Sequence, residues 1–195
     1  MNYLAHLYLS GNDPELRLGN FIADHLKGVS PQQYSAGVQR GIRLHHVIDR
    51  FTDTHAVVGE SKRRLQPLFR KYAPVIVDIF YDHYLAQRWA QYHPEPLAQY
   101  AAGIYREMQA QEELLPERAR GMLPFMVRHD WLTNYAKLEG IQRVMNGMSR
   151  RSRFDSGMER APSLLAEHHH AFGEEFDRFF PELQAEVKHF IQHHP

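Results

Sequence analysis

The stretch VIVDIFYDHYLAQRW at residues 75–89 decides the fold class of this chain. When it is drawn as a helix with about 100° between residues, apolar side chains surround the axis over most of its length, which is typical of a buried helix. Two carboxylates, Asp78 and Asp82, nevertheless lie four residues apart on one face, and His83 follows them. Because a buried carboxylate is unstable unless it is paired, protonated or bound to a metal ion, we expect a compensating group in the core.

Capping signals divide the remaining chain into further helices. The DPE sequence at residues 13–15 predicts a helix start with Asp as the N-cap, and Gly28 is the expected stop. Ser-Pro at residues 30–31 opens a second predicted helix, which runs to about Thr54. Further starts are suggested at Pro74, Pro96, Pro116 and Pro162.

The sequence predicts no β-strand. No run of β-branched or aromatic residues alternates with polar residues between turn signals. A length of 195 residues suits one domain with a substantial core. We therefore predict an all-α, single-domain bundle of about eight helices over residues 1–195. GMSRRSRFDSG at residues 147–157 is predicted as the one basic, loop-like segment.

Composition limits the function classes. Lys+Arg and Asp+Glu balance at 23 each, which argues against nonspecific nucleic-acid binding. Cysteine is absent, which excludes disulfides, thiolate zinc sites and a cysteine nucleophile. Residues 1–15 carry His6 within their apolar run and lack a basic segment, so we expect no signal peptide. No stretch approaches the roughly 20 apolar residues of a membrane helix, and we expect a cytoplasmic protein that binds neither nucleic acid nor membrane.

A second set of polar side chains borders an apolar helix stripe at residues 41–53, GIRLHHVIDRFTD. His45, Asp49 and Thr52 follow one another at spacings of four and three residues. Side chains at these spacings lie on the same face of a helix. An imidazole and a carboxylate are therefore predicted to face the same space.

Two shorter helices add to this set. The first carries His6 within NYLAHLYLS, and the second places Asn20 and Asp24 one turn apart. Taken alone, a core histidine such as His6 is more often hydrogen-bonded than a metal ligand, and Asp49 also suits an ion pair with a neighbouring arginine. Together, carboxylates and imidazoles on four adjacent helices are costly to bury separately. One divalent cation would neutralise the charge at a single point.

The donor types indicate the kind of metal ion. Nitrogen and oxygen donors without sulfur favour Mn²⁺, Fe²⁺ or Mg²⁺ over structural zinc, although donor type alone leaves zinc open. The adjacent Asp82 and His83 and the separated His45 and Asp49 are similar to the His/Asp signature of HD-type phosphohydrolases. That likeness indicates a reaction class in which a metal-bound water attacks phosphorus and the metal offsets charge on the phosphoryl oxygens.

Five segments, in order along the chain, carry a more specific resemblance: MNYLAHLYL at 1–9, LGNFIAD at 18–24, GIRLHHVIDRFTD at 41–53, DIFYDHYLAQRW at 78–89 and WLTNYAKLEGIQRVMNGMSRR at 131–151. They resemble successive motifs of the acyl carrier protein phosphodiesterase family, and the resemblance spans almost the whole chain. It implies an all-helical fold distantly related to HD hydrolases and Mn²⁺ as the cofactor, with Mg²⁺ or Fe²⁺ as alternatives. It also implies removal of the 4′-phosphopantetheine arm from holo acyl carrier protein, an acidic partner.

The resemblance also implies site residues. The expected metal ligands are Asp24, His45, Asp49 and Asp82. The expected catalytic residues are His83, His6 and Asp78. We expect His83 or His6 to orient the water or to protonate the departing serine oxygen. The chain departs from the family pattern at His46, where we expect a basic residue in relatives.

An acidic carrier requires a local basic surface, because the chain as a whole is neutral. Arg150, Arg151 and Arg153 in the predicted loop are the first candidates for binding the partner, and the KRR sequence at residues 62–64 is the second. A solvated loop rich in arginine, without a partner, is the alternative interpretation.

Two other functions fit the same residues. An HD-type metal-dependent hydrolase acting on nucleotides would keep the metal site and change the substrate. A non-catalytic helical module that binds an acidic partner would need neither a metal ion nor a reaction.

Overall fold

A computed structural model of the chain describes residues 1–194. Twelve α-helices and five short 3₁₀ turns make up this part of the chain, and it contains no strand, which confirms the all-α prediction. The α-helices are α1 (Tyr3–Leu9), α2 (Pro14–Ile22), α3 (Ala36–Thr54), α4 (Ala56–Phe69), α5 (Ala73–Gln87), α6 (Trp89–Tyr92), α7 (Leu97–Ala110), α8 (Glu117–Arg128), α9 (Trp131–Asn134), α10 (Leu138–Arg151), α11 (Ala161–Glu167) and α12 (His169–His193). The 3₁₀ turns are Ala23–His25, Pro31–Gln33, Arg70–Tyr72, Glu112–Leu114 and Met158–Arg160. The described residues thus form more helices than the predicted number of about eight, and the two shortest, α6 and α9, have four residues each.

Capping residues begin two early helices near the predicted places. The Asp13 carboxylate accepts hydrogen bonds from two backbone N–H groups in the first turn of α2. The second predicted start is displaced, because Pro31 begins only a 3₁₀ turn. Helix α3 starts instead at Ala36, where the Ser35 hydroxyl accepts from a backbone N–H of the first turn. It ends at Thr54, as predicted.

Helix α5 lies at the centre of the core, as its sequence predicted. Ile79, Phe80 and Tyr81 are completely buried, and the helix packs against α1, α4, α10 and α12. The largest buried side chains of α12 are Phe172, Phe176, Phe179 and Phe180. Burial of each such side chain stabilises the fold by about 1.5–3 kcal/mol. Within residues 1–194, no helix has both the length and the apolarity needed to cross a membrane.

Helices α2 and α3 cross with their backbones in contact, and two glycines allow it. A Cβ atom at Gly19 would lie 2.0 Å from the carbonyl oxygen of Val38, and one at Gly41 would lie 2.3 Å from the carbonyl oxygen of Leu16. No side chain fits at either position without moving a helix. The crossing therefore brings the polar residues that follow these glycines on each helix close together.

The structure corrects the boundary of the predicted basic loop. Helix α10 continues through Gly147 to Arg151, because Met145 and Met148 extend its apolar face against the core. Arg150 and Arg151 therefore lie in the last helical turn, and only Arg153 lies in the loop that follows.

Candidate metal centre

Three side chains from α1 and α3 converge on one point. The Nε2 atom of His6 lies 3.2 Å from Oδ1 of Asp49, and Nε2 of His45 lies 3.0 Å from Oδ2 of the same carboxylate. The two imidazole rings are stacked, with their centroids 4.3 Å apart. One nitrogen or oxygen atom from each of the three residues lies within 4.8 Å of the others, which is the spacing of a metal-ligand set.

Asp24 extends this cluster towards the surface. Its Oδ1 atom lies 3.2 Å from Nε2 of His45, and its side chain is 69% exposed. Asp24 thus faces the same imidazole nitrogen as Asp49, which is 41% exposed. The structure brings together four of the predicted site residues: His6, Asp24, His45 and Asp49.

Asn20 on α2 completes the inner side of the cluster. Its Oδ1 atom lies 2.7 Å from Nδ1 of His6 and 3.1 Å from Nδ1 of His45. The backbone oxygen of Asn20 also lies 3.0 Å from Nδ1 of His45. Because carbonyl oxygens only accept hydrogen bonds, both imidazoles donate from Nδ1.

The charges in the cluster follow from burial and from these contacts. Burial alone would lower the pKa of His45, but hydrogen bonds with Asp24 and Asp49 outweigh it and raise the pKa to about 9. Burial opposes ionisation of Asp49, yet its hydrogen bond with the charged His45 holds the pKa of its carboxyl well below its usual range. The pKa of His6 is lowered, chiefly by burial. His6 is therefore neutral at pH 7, while His45 is charged between two carboxylates.

This arrangement fits a divalent metal ion. Neutral His6 donates its single proton from Nδ1 to Asn20, so its Nε2 lone pair faces the Asp49 carboxylate at 3.2 Å. Two acceptors at that distance repel each other unless a cation lies between them. Two imidazole nitrogens and one carboxylate, with one side open, form the donor set that Fe²⁺ and Mn²⁺ occupy in proteins.

The structure does not bring Asp82 to the cluster, in disagreement with its predicted role as a metal ligand. Asp82 is fully buried, and its oxygens accept from the backbone N–H groups of Asn2 (3.1 Å), Leu4 (2.8 Å) and Ala5 (3.4 Å). Burial raises the pKa of Asp82 to about 7, against the opposing effect of these donors. The compensating group is thus the amino-terminal end of α1, where free N–H groups favour a carboxylate.

Asp78 and His83 also have other partners than predicted. Oδ1 of Asp78 lies 2.8 Å from the α-amino nitrogen of Met1, so this carboxylate forms an ion pair at the edge of the cleft described below. Nδ1 of His83 donates to the carbonyl oxygen of Tyr135 at 2.7 Å, and the ring is fully buried beside Tyr84. His83 is not among the residues that line the cleft, so its contacts give no support to its predicted catalytic role.

A cleft of about 1200 Å³ opens beside the cluster, with Asp24 and Asp49 in its wall. Its apolar lining comes mainly from later helices: Val75, Met122, Phe125, Trp131, Val144 and Met148. Its basic lining consists of Lys71, Arg118, Arg143, Arg150 and Arg151. Among residues 1–194, none of these five cations forms an ion pair with a carboxylate. Their charge is therefore available to a ligand.

Sequence reasoning assigned no role to several of these residues. Asn20 was recognised only as one turn from Asp24, although its position between the apolar Leu18 and Phe21 marks a buried polar side chain. Arg118 lies outside every motif that was singled out, so nothing in its local sequence indicates that it faces the cleft.

Comparison with known proteins identifies the family. A family model described as acyl carrier protein phosphodiesterase matches residues 1–183. The chain belongs to the acyl carrier protein phosphodiesterase family. This membership confirms the resemblance found in the sequence.

Other proteins named acyl carrier protein phosphodiesterase are similar to the chain over nearly its full length. The acyl carrier protein phosphodiesterase of Enterobacter sp. (strain 638) is 34% identical over 190 residues, which cover 96% of this chain and 98% of the relative. Those of Photorhabdus laumondii and Klebsiella pneumoniae (strain 342) are 33% and 35% identical, over 97% and 94% of this chain and 98% and 95% of the relatives. No solved structure matches the chain.

Proposed function

We propose that this protein hydrolyses the phosphodiester that links 4′-phosphopantetheine to the serine of holo acyl carrier protein, and so releases apo carrier and 4′-phosphopantetheine. Family membership supports the reaction and the substrate. The structural observation that supports the proposal is the cluster of His6, His45 and Asp49 beside a basic cleft.

The proposed cofactor is Mn²⁺, with Mg²⁺ or Fe²⁺ as alternatives, bound by His6, His45 and Asp49 and approached by Asp24. Such an ion supplies a water of lowered pKa and offsets charge on the phosphoryl oxygens. In this proposal His6 is a metal ligand rather than a proton donor, because its Nε2 atom faces Asp49 and its Nδ1 atom is bonded to Asn20.

The cleft suits both parts of the proposed substrate. Met122, Trp131 and Met148 offer an apolar wall for the uncharged pantetheine chain. Arg150 and Arg151, which were predicted to bind the partner, line the same cleft. Charge complementarity with an acidic carrier supports this binding surface.

The other basic candidates differ in how free their charges are. Arg153 lies in the loop beyond α10, with its guanidinium over the ring of Phe154, and stays a candidate at the margin. In the second predicted segment, Lys62 is bonded to Asp53 and Arg64 to Glu175. Those two charges are already paired, which disfavours residues 62–64 as the carrier-binding surface.

A mass assay on the carrier tests the proposal. Holo acyl carrier protein is incubated with the purified protein and Mn²⁺, and the carrier is then weighed by mass spectrometry. We expect loss of the phosphopantetheine mass with the wild-type protein, and none with Asp49→Ala, which removes a ligand of the cluster. Glu167→Ala, which removes an exposed carboxylate at the end of α11, is the matched control and keeps the activity.

Two results would favour the alternatives. Turnover of nucleotides without release of phosphopantetheine would identify an HD-type nucleotide hydrolase. No turnover of any phosphate ester, together with the same metal content in wild-type and Asp49→Ala protein, would identify a non-catalytic module.

A further inference from the structure

The side chain of Asn20 touches both histidines of the cluster and is 1% exposed. Its Nδ2 atom donates to the carbonyl oxygen of His6 and to the hydroxyl oxygen of Ser10, each at 2.9 Å. Because the His6 carbonyl can only accept, the amide atom facing it must be the nitrogen. The orientation of the amide is thereby fixed, and its oxygen faces the two rings.

This oxygen determines which nitrogen of each ring is free. A neutral imidazole carries one proton, and a ring that donates from Nδ1 keeps its lone pair on Nε2. The Nε2 atoms of His6 and His45 are the ones that approach the Asp49 carboxylate, at 3.2 and 3.0 Å. When both rings are neutral, as metal binding requires, one acceptor thus selects the same tautomer in two ligands that come from different helices.

We infer that Asn20 is the positioning residue of the metal centre: its carboxamide oxygen holds the Nδ1–H groups of His6 and His45 and so directs both Nε2 lone pairs to one cation. This inference rests on the proposed metal site. Groups that hold a ligand histidine in this way set both its ring orientation and its basicity. The effect is larger for His6, because the backbone oxygen of Asn20 remains as a second acceptor for His45.

A purely structural role is the competing explanation. The Nδ2 contacts join α2 to the carboxyl-terminal end of α1, and their loss alone would disturb the packing of the two helices. Two variants separate the roles. Asn20→Asp keeps an oxygen acceptor for the rings and loses the Nδ2 donors, whereas Ser10→Ala removes one Nδ2 partner and touches neither ring.

The experiment measures Mn²⁺ binding from the free-ion signal in electron paramagnetic resonance, for wild type, Asn20→Leu, Asn20→Asp and Ser10→Ala. We expect Asn20→Leu to raise the Kd for Mn²⁺ by about 10- to 100-fold, which is the usual effect of removing such a partner. We expect Asn20→Asp and Ser10→Ala to stay within about threefold of wild type, whatever their melting temperatures.

The remaining outcomes contradict either the positioning role of Asn20 or the proposed metal site. If Asn20→Leu binds as wild type does, or if Asn20→Asp or Ser10→Ala loses as much affinity as Asn20→Leu, the positioning role is overturned while the metal site stands. If Asn20→Leu does not fold, Asn20→Ala, which also removes the carboxamide oxygen, takes its place in the same comparison. If the wild-type protein binds no Mn²⁺, and neither Mg²⁺ nor Fe²⁺ in a competition assay, the proposed metal site itself fails and the inference with it.

Discussion

Binding of Mn²⁺ is expected to release a proton, because one ligand is protonated in the metal-free protein. Hydrogen bonds with Asp24 and Asp49 raise the pKa of His45 to about 9, whereas burial lowers that of His6. At pH 7 the His45 ring must therefore lose a proton before Nε2 can bind a metal ion. Two pH units below the pKa correspond to about 2.7 kcal/mol, so the Kd at pH 7 is expected to be about 100-fold higher than above pH 9.

Calorimetric titration with Mn²⁺ in buffers of different ionisation enthalpy measures the protons released. We expect about one proton per ion at pH 7, and an affinity that rises about tenfold per pH unit between pH 6 and 8. His46→Ala is the matched control, since His46 is the exposed neighbour of His45 on α3, and it keeps the full release. Release of no proton at pH 7, or a Kd independent of pH, would refute the charge assignment of the cluster.

Four further predictions test the fold and the site. In the metal-free protein, the raised pKa of His45 contributes stability that is present below about pH 6.5 and is lost as the pH rises through about 9, which urea unfolding at several pH values would show. Gly41→Ala should destabilise the protein by about 3 kcal/mol and weaken Mn²⁺ binding, because its Cβ atom would lie 2.3 Å from a carbonyl oxygen of α2; an unchanged unfolding midpoint would contradict the close crossing. Asp82→Ala should cost about 2 kcal/mol through the loss of the α1 cap, and the folded variant should still bind one Mn²⁺ but more weakly, because the cap positions His6, whereas Asp49→Ala should fold and bind none. Arg151→Glu should raise KM for holo carrier about tenfold without changing kcat, and an equal fall in kcat would argue against a role in carrier binding alone.

The sequence predicted part of this site, because part of it depends on helix geometry alone. His45 and Asp49 lie four residues apart on α3, and that spacing is sufficient to place an imidazole and a carboxylate on one face. The burial of α5 followed from its apolar circumference in the same way. Periodicity also indicates that a carboxylate is buried, and a buried carboxylate needs a partner. It does not indicate which group that partner is.

The errors arose where that partner came from elsewhere in the chain. Asp82 was assigned to a metal ion, but it accepts backbone N–H groups of α1, whose availability depends on tertiary packing rather than on residue type. The basic wall of the cleft, from Arg118 to Arg151, is assembled by α8 and α10, far along the chain from the cluster. The relation to HD hydrolases, the single-domain organisation and the cytoplasmic location stay predictions.

The buried carboxylate of α5, Asp82, supports the proposed metal centre without contacting it. Asp82 fixes the start of α1 by accepting three of its N–H groups, and His6 follows on the next turn of that helix. On the other side, Gly19 and Gly41 let α2 and α3 approach closely enough for Asn20 to reach His45. The position of His6 relative to His45 is therefore set by a cap on one helix and a close crossing between two others. Since a shift of either contact would separate the two Nε2 atoms, residues without any metal contact determine whether the centre can form.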